Sequence, residues 1–215
     1  MKPLLQHIGK DLSDALKRRG RVRSFAAGET IFDEGGKALV LPIVLRGKVK
    51  MTHFLESGKE VIIGVFEAGE TFAVPPVVDG KRYPASAVAM EQSELLLIKR
   101  SDFLELLTES SEFSLWIIGW LCAMVREKTA TIQNLSIASP EHRIGNVLLK
   151  LADRDAPSGP IRIALRREDI AKMAGLTTET TIRVIRRLAE KRFIRIDHGK
   201  IVLDDVEPLR AHVGD

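Results

Sequence analysis

Between Val22 and about Ile98 the apolar residues come in short runs rich in valine, isoleucine and leucine. Glycines cut these runs every ten or so positions, at 28, 35, 36, 47, 58 and 69, in the stretches AAGETIFDEGG, VLPIVLRGKVKMTHF and LESGKEVIIGVFEAGE. The pattern predicts successive antiparallel strands joined by tight turns, closed into a sandwich or barrel. Glu56-Ser57-Gly58-Lys59 reads as a hairpin turn, with Gly58 supplying positive φ. Around Ser101 the period changes from two to about 3.6. SDFLELLTES predicts a short helix capped by Ser101, with Phe103, Leu104 and Leu107 on one side. A long helix follows, from about Glu112 to Ile137. In it Ile118, Leu121, Val125, Lys128, Ile132 and Leu135 alternate spacings of three and four. This is a heptad seam with one polar interruption and predicts helix-to-helix dimerisation; packing on the core of its own domain is the competing explanation.

Ser139 followed by Pro140 restarts the chain with a good N-cap and an N1 proline, so SPEHRIGNVLLKLAD is a new helix and marks a domain boundary. DAPSGP then reads as an exposed turn. The expected fold is α+β. An N-terminal antiparallel, jelly-roll-like β-barrel spans residues 1–111, a long helix 112–138, and a C-terminal helical unit 139–215.

The most specific pattern is LRREDIAKMAGLTTETTIRVIRRLAEKRFIRIDHGKIVL, residues 165–203. A helix from Arg167 to Met173 stops at Ala174 and Gly175, and a second opens at Thr177. A short glycine turn between two helices is helix-turn-helix geometry, whose second helix enters the DNA major groove. Ile182, Ile185 and Leu188 fall at core-facing spacings, while Thr178, Glu179, Thr180 and Arg183 occupy or flank the first exposed turns. The Thr177 N-cap leaves backbone N–H groups for a phosphate. Arg183 can donate to guanine O6 and N7, and Glu179 can accept from a cytosine amino group. RFIRI and KIVL flank Asp197-His198-Gly199 as a hairpin wing whose Lys200 can meet phosphates, and His198 reads as a solvent-facing turn residue. The unit is therefore expected to be a winged helix-turn-helix.

Charge agrees with this. The net charge of +4 is uneven: residues 162–200 carry 11 Lys/Arg against 5 Asp/Glu, whereas residues 1–138 carry 18 against 17. A local cationic excess suits a polyanionic partner. The single cysteine, Cys122, rules out an intrachain disulfide and any iron–sulfur or all-cysteine zinc site. No metal site is expected. The N-terminal MKPLLQHIGKDLSDALKRRG has no continuous apolar core, and the longest apolar run, Leu115 to Val125, falls short of the roughly 20 residues a span needs. A cytoplasmic protein without membrane partners is expected. No nucleophile and base converge in the sequence, and no phosphate-binding glycine loop precedes a helix, so no enzyme is expected.

Over almost its whole length the chain resembles the CRP/FNR superfamily of bacterial transcription regulators. The resemblance rests on the glycine-spaced barrel, the long helix before SPEHRIGNVLLKLA and, above all, REDIAKMAGLTTETTIRVIRRLAEKRFI. The family's base-reading Glu-Thr-x-x-Arg stands here as Glu179, Thr180, Thr181, Ile182 and Arg183, and Arg167 stands where the family places a phosphate-contacting arginine. Relatives commonly have threonine where this chain has Arg166, which weakens the local cap by up to ~1 kcal/mol. The resemblance implies a homodimer that binds a palindromic site on double-stranded DNA, recruits or blocks RNA polymerase, and senses a signal through its barrel.

The cyclic-AMP branch of that family grips its ligand with a Gly-Glu-Leu loop and an Arg-Ser pair. Within GETFAVPPVVDGKRYPASA, which reads as a ligand-holding loop, this chain offers Ala73, Val74, Pro75 and Pro76 for the first and Tyr83 and Pro84 for the second. Three prolines remove three N–H donors where an anion needs them. Lys81 and Arg82 lie beside the expected position, but a one-residue offset in a strand points Arg82 to the other face. On the long helix, Lys128 and Thr129 fall where a purine would be met, and only Thr129 suits that job. Phe72, Val74, Val77 and Tyr83 make the expected pocket wall apolar. The expected effector is therefore not cyclic AMP but haem, as in relatives that sense nitric oxide or carbon monoxide, or another apolar signal. His53, His7, His142, Cys122 and the N-terminal Met1-Lys2-Pro3 are the candidate haem ligands. A cyclic-nucleotide regulator with an atypical pocket, and an effector-independent regulator, remain alternatives.

Overall fold

A computed structural model describes residues 8–56, 58, 60–137, 139–152 and 159–214. Contacts divide the chain into two compact units, Met1–Val125 and Arg126–Asp215.

The first unit opens with helix α1 (Lys10–Arg19) and strands β1 (Gly20–Phe25), β2 (Thr30–Phe32), β3 (Val40–Arg46), β4 (Lys48–Phe54) and β5 (Glu60–Glu67). A short helix α2 (Val74–Asp79), strands β6 (Ser86–Ala89) and β7 (Ser93–Lys99), helix α3 (Arg100–Glu109) and the long helix α4 (Ser111–Ile137) follow. The strands form two antiparallel sheets, ordered β1-β7-β3 and β2-β6-β4-β5. Alternation fixes their inner faces: Val49 and Met51 of β4, opposite Ala89 and Ala87, are buried, as are Ile43 of β3 and its partner Leu96. Gly58 has φ 75°, as its hairpin turn requires; Ser57 and Lys59 lie outside the described residues. Phe103 and Leu106 of α3 and Phe113, Ile117 and Trp120 of α4 close the core from one side.

Two expectations are corrected here. Ser101 does not cap α3: the helix begins one residue earlier, Lys99 is the N-cap without a side-chain bond, and the Ser101 hydroxyl donates to Asp102 Oδ1 at 2.9 Å. The stretch 69–87 is not all loop, because Val74–Asp79 is helical. Its prolines stand in the first turn, where the missing N–H groups have no helical partner to lose.

The second unit holds α5 (Pro140–Ala152), β8 (Ile161–Ile163), α6 (Arg167–Ala174), α7 (Thr178–Glu190), β9 (Arg195–Asp197), β10 (Lys200–Leu203) and α8 (Glu207–Gly214). The Ser139 cap forms as expected: its Oγ accepts from His142 N at 3.3 Å. Of the DAPSGP turn, residues 155–158 lie outside the described residues. The core is built from Ile144 and Leu148 of α5, Ile170 and Ala174 of α6, and Ile185 and Leu188 of α7, with Ile201 of β10. One assignment on α7 is corrected: Ile182 is 37% exposed, and Thr181 and Val184 take the inward positions instead. Among the described residues, no helix is long and apolar enough to cross a membrane.

Candidate nucleic-acid interface

The turn between α6 and α7 is made by Gly175 in the left-handed region, φ 67°. It ends α6, and Leu176 N donates back to Ala171 O at 2.9 Å. Arg143 Nη1, from α5, donates to Ala174 O at 3.3 Å and so satisfies a carbonyl that the helix end leaves over. As the sequence predicts, Arg166 forms no side-chain cap for α6.

Helix α7 starts on Thr177, whose Oγ1 accepts from Thr180 N at 3.2 Å and donates to Thr180 Oγ1 at 3.0 Å. Arg183 Nη2 reaches the same Thr180 hydroxyl at 3.5 Å. Thr180 therefore steadies both the cap and the arginine, while Thr178 is half-buried beside it. Glu179 and Arg183 are exposed, and no ion pair joins them among the described residues. Both charges are thus available to an outside partner. Arg186 is exposed too; four residues apart on a helix is one face, so it extends the side carrying Glu179 and Ile182, a contribution the sequence reading did not assign.

The wing is a two-residue hairpin. His198 (φ 46°) and Gly199 (φ 75°) both take positive φ, the signature of a type I′ turn. His198 is solvent-facing, with Nδ1 2.7 Å from Asp197 Oδ1, and Lys200 is exposed at the start of β10. Arg167, at the first position of α6, donates from Nη2 to Gly199 O at 3.2 Å. That bond ties the wing turn to the N-terminus of α6. Partial burial pushes the Arg167 pKa down, and the guanidinium stays cationic all the same. Thr177, Glu179, Arg183, Arg167 and Lys200 are thereby all held on the helix-turn-helix and wing.

The residues expected to hold an effector fall differently. Phe72, Val74 and Val77 are fully buried and Tyr83 almost so, all four in one core cluster. Tyr83 stacks on Phe32 with ring centroids 3.7 Å apart, and Phe72 stacks on Phe66 at 4.8 Å. The Tyr83 hydroxyl donates to Val40 O at 2.8 Å, and burial raises its pKa. The two nearby arginines are committed to carbonyls, Arg82 Nη1 donating to Gly35 O at 2.6 Å and Arg100 to Val77 O and Val78 O at 2.8 and 3.2 Å, while the exposed Lys81 lies 3.5 Å from Asp79 Oδ2. Ala73 holds the left-handed region at φ 58°. Thr129 is an exposed residue and is assigned to the second unit.

On α4, Ile118 and Val125 are 55% and 60% exposed and Leu121 is half-buried. The side chains of Lys128, Ile132 and Leu135 lie outside the described residues.

Residues 22–110 match the family described as cyclic nucleotide-binding domain, and residues 142–212 match the Crp-like helix-turn-helix domain. The chain is 30% identical to the global nitrogen regulator of Synechocystis sp., over 85% of this chain and 84% of that protein. It is 29% identical to the cyclic AMP receptor protein of Thermus thermophilus, over 93% and 91%. Its fold is similar to the structure of FixK2 from Bradyrhizobium japonicum, with TM-score 0.81 at 22% identity, covering 89% of this chain and 96% of that one.

Proposed function

The chain belongs to the CRP/FNR family, as a DNA-binding transcription regulator and not an enzyme, and from that premise we propose that it acts as a homodimer on a palindromic site and is not switched by cyclic AMP. The relative named for cyclic AMP makes that nucleotide the obvious alternative. A cyclic phosphate needs convergent N–H donors or a guanidinium. At the matching segment, Pro75, Pro76 and Pro84 have no N–H, and the wall is Phe72, Val74, Val77 and Tyr83. Arg82 and Arg100 already serve backbone carbonyls. The buried Tyr83, stacked and hydrogen-bonded where a phosphate-binding arginine stands in the cyclic-AMP branch, is the observation that carries this reading.

Haem fits these residues poorly. His53 is half-buried, with Nδ1 2.8 Å from Glu34 Oε1; Cys122 is exposed; His142 belongs to the second unit and stacks on His212. His7 and Met1-Lys2-Pro3 lie outside the described residues. Among the described residues no histidine or cysteine is buried. The close packing of Phe32, Phe66, Phe72 and Tyr83 favours a second reading, in which the barrel holds only its own side chains and the regulator binds DNA without an effector.

Fluorescence anisotropy on a duplex selected from a randomised library tests both. Affinity within twofold of its starting value after adding millimolar cyclic AMP is the expected result. A tenfold gain would overturn the first reading, and dependence of binding on a co-purified small molecule would overturn the second.

A further inference from the structure

Thr181, Val184, Ile185 and Leu188 are the buried residues of α7, which puts Glu179, Arg183 and Arg186 on the opposite side. Ile182 stands at the edge of that side, 37% exposed, three residues after Glu179 and four before Arg186. At 3.6 residues per turn it lies roughly 60° around the axis from Glu179 and roughly 4.5 Å along it. A lone exposed isoleucine elsewhere on a surface needs no explanation. This one sits on the side of the helix that enters the major groove, so its surroundings in the complex are base edges. Isoleucine has no donor or acceptor in its side chain, and the only apolar group on the groove floor is the C5-methyl of thymine.

We propose that Ile182 is a specificity-determining residue that reads a thymine through its methyl group, within about two base steps of the pair met by Glu179 and Arg183. Selection acts in both directions. The methyl loses water against the aliphatic side chain, whereas an amino group or carbonyl placed there would lose its own water without gaining a partner. Branching at Cβ confines χ1 on a helix, so the contact stays at one register.

The inference rests on the DNA-binding reading, and the test separates the two. Full-length protein is used to select duplex sites, and each thymine of one half-site is then replaced singly by deoxyuridine, which removes the methyl and leaves every hydrogen-bonding group. The expected result is one position where replacement weakens wild-type binding roughly three- to tenfold. In Ile182→Ala the same replacement should change binding by less than about twofold. Specific binding insensitive to every deoxyuridine, or an undiminished penalty in Ile182→Ala, overturns the inference and leaves DNA binding intact. Selection that enriches no sequence overturns both.

Discussion

At the residue scale the second unit hinges on which side chains of α7 turn inward. The hydrophobic spacing Ile182, Ile185, Leu188 competes with Thr181, Val184, Ile185, Leu188, and the second set is the i, i+3, i+4, i+7 pattern of a buried helix face. Threonine masked it, because a hydroxyl makes Thr181 look like a surface residue. Yet Thr181 is fully buried, and its Oγ1 has no hydrogen-bond partner among the described residues. A buried hydroxyl without a partner costs about 1 kcal/mol or more. Thr181→Val keeps the shape and removes that cost, so it should raise stability by about 1 kcal/mol in urea denaturation. A loss of stability would show that the hydroxyl does find a partner. The assignments of Glu179 and Arg183 were legible because charge needs no burial pattern to be read as exposed. Arg183→Ala should weaken binding to the selected site by about 1–3 kcal/mol while leaving the lower, sequence-independent affinity almost unchanged. Equal losses on both DNAs would assign Arg183 to phosphate instead.

At the element scale, helix ends were the most readable part of the chain. Ser139, Thr177 and Gly175 each act where their chemistry predicts, since a cap depends on one side chain and its own backbone. Ser101 failed because β7 runs straight into α3, and the start was set by strand pairing of Lys99 with Val40 rather than by a cap. The helix at Val74–Asp79 escaped notice because six residues with two prolines carry no apolar period. Gly175 offers a test of the turn. A Cβ there would meet Arg143 Nη1 at 3.6 Å, an ordinary contact, so Gly175→Ala pays only for its φ of 67°. The expected loss is roughly 1 kcal/mol, and an unchanged melting midpoint would mean that the turn relaxes. A second test concerns the anchorage of α5. Glu141 accepts from Lys191, lies 3.8 Å from Arg187 and 2.9 Å from His212 Nε2, and is held below its ordinary 4.5 chiefly by the Lys191 hydrogen bond. A depressed carboxyl stabilises the fold fully above its unfolded value and loses that contribution as pH falls through the folded one. Wild-type stability should therefore drop more steeply below pH 4.5 than that of Glu141→Gln. Parallel curves would remove Glu141 from the account.

At the scale of the whole molecule, the proposed homodimer makes function depend on a second copy, and the exposed side of α4 is the reason for proposing it. Phe113, Ile117 and Trp120 bury one side of the helix in its own unit, so the competing explanation of the sequence pattern holds for that side. The other side leaves Leu115, Ile118 and Val125 at 69%, 55% and 60% exposure, a row that water alone would disfavour. Ile118 and Val125 are seven apart, one heptad, which is the repeat that a partner helix of the same sequence covers. Such pairing also explains how a single recognition helix of modest reach gains affinity. Two half-sites bound by linked units act with a raised effective concentration, commonly worth 10²–10⁴ in affinity. Ile118→Glu with Val125→Glu should therefore shift the sedimenting mass from twice 23.9 kDa to the single chain. The same change should cut affinity for a two-half-site duplex by about 10²-fold or more while sparing the weak binding of one half-site. If the double variant still sediments as a dimer, α4 is not the seam; if it becomes a monomer yet holds the full site as tightly as before, one recognition helix suffices and the palindrome is not required.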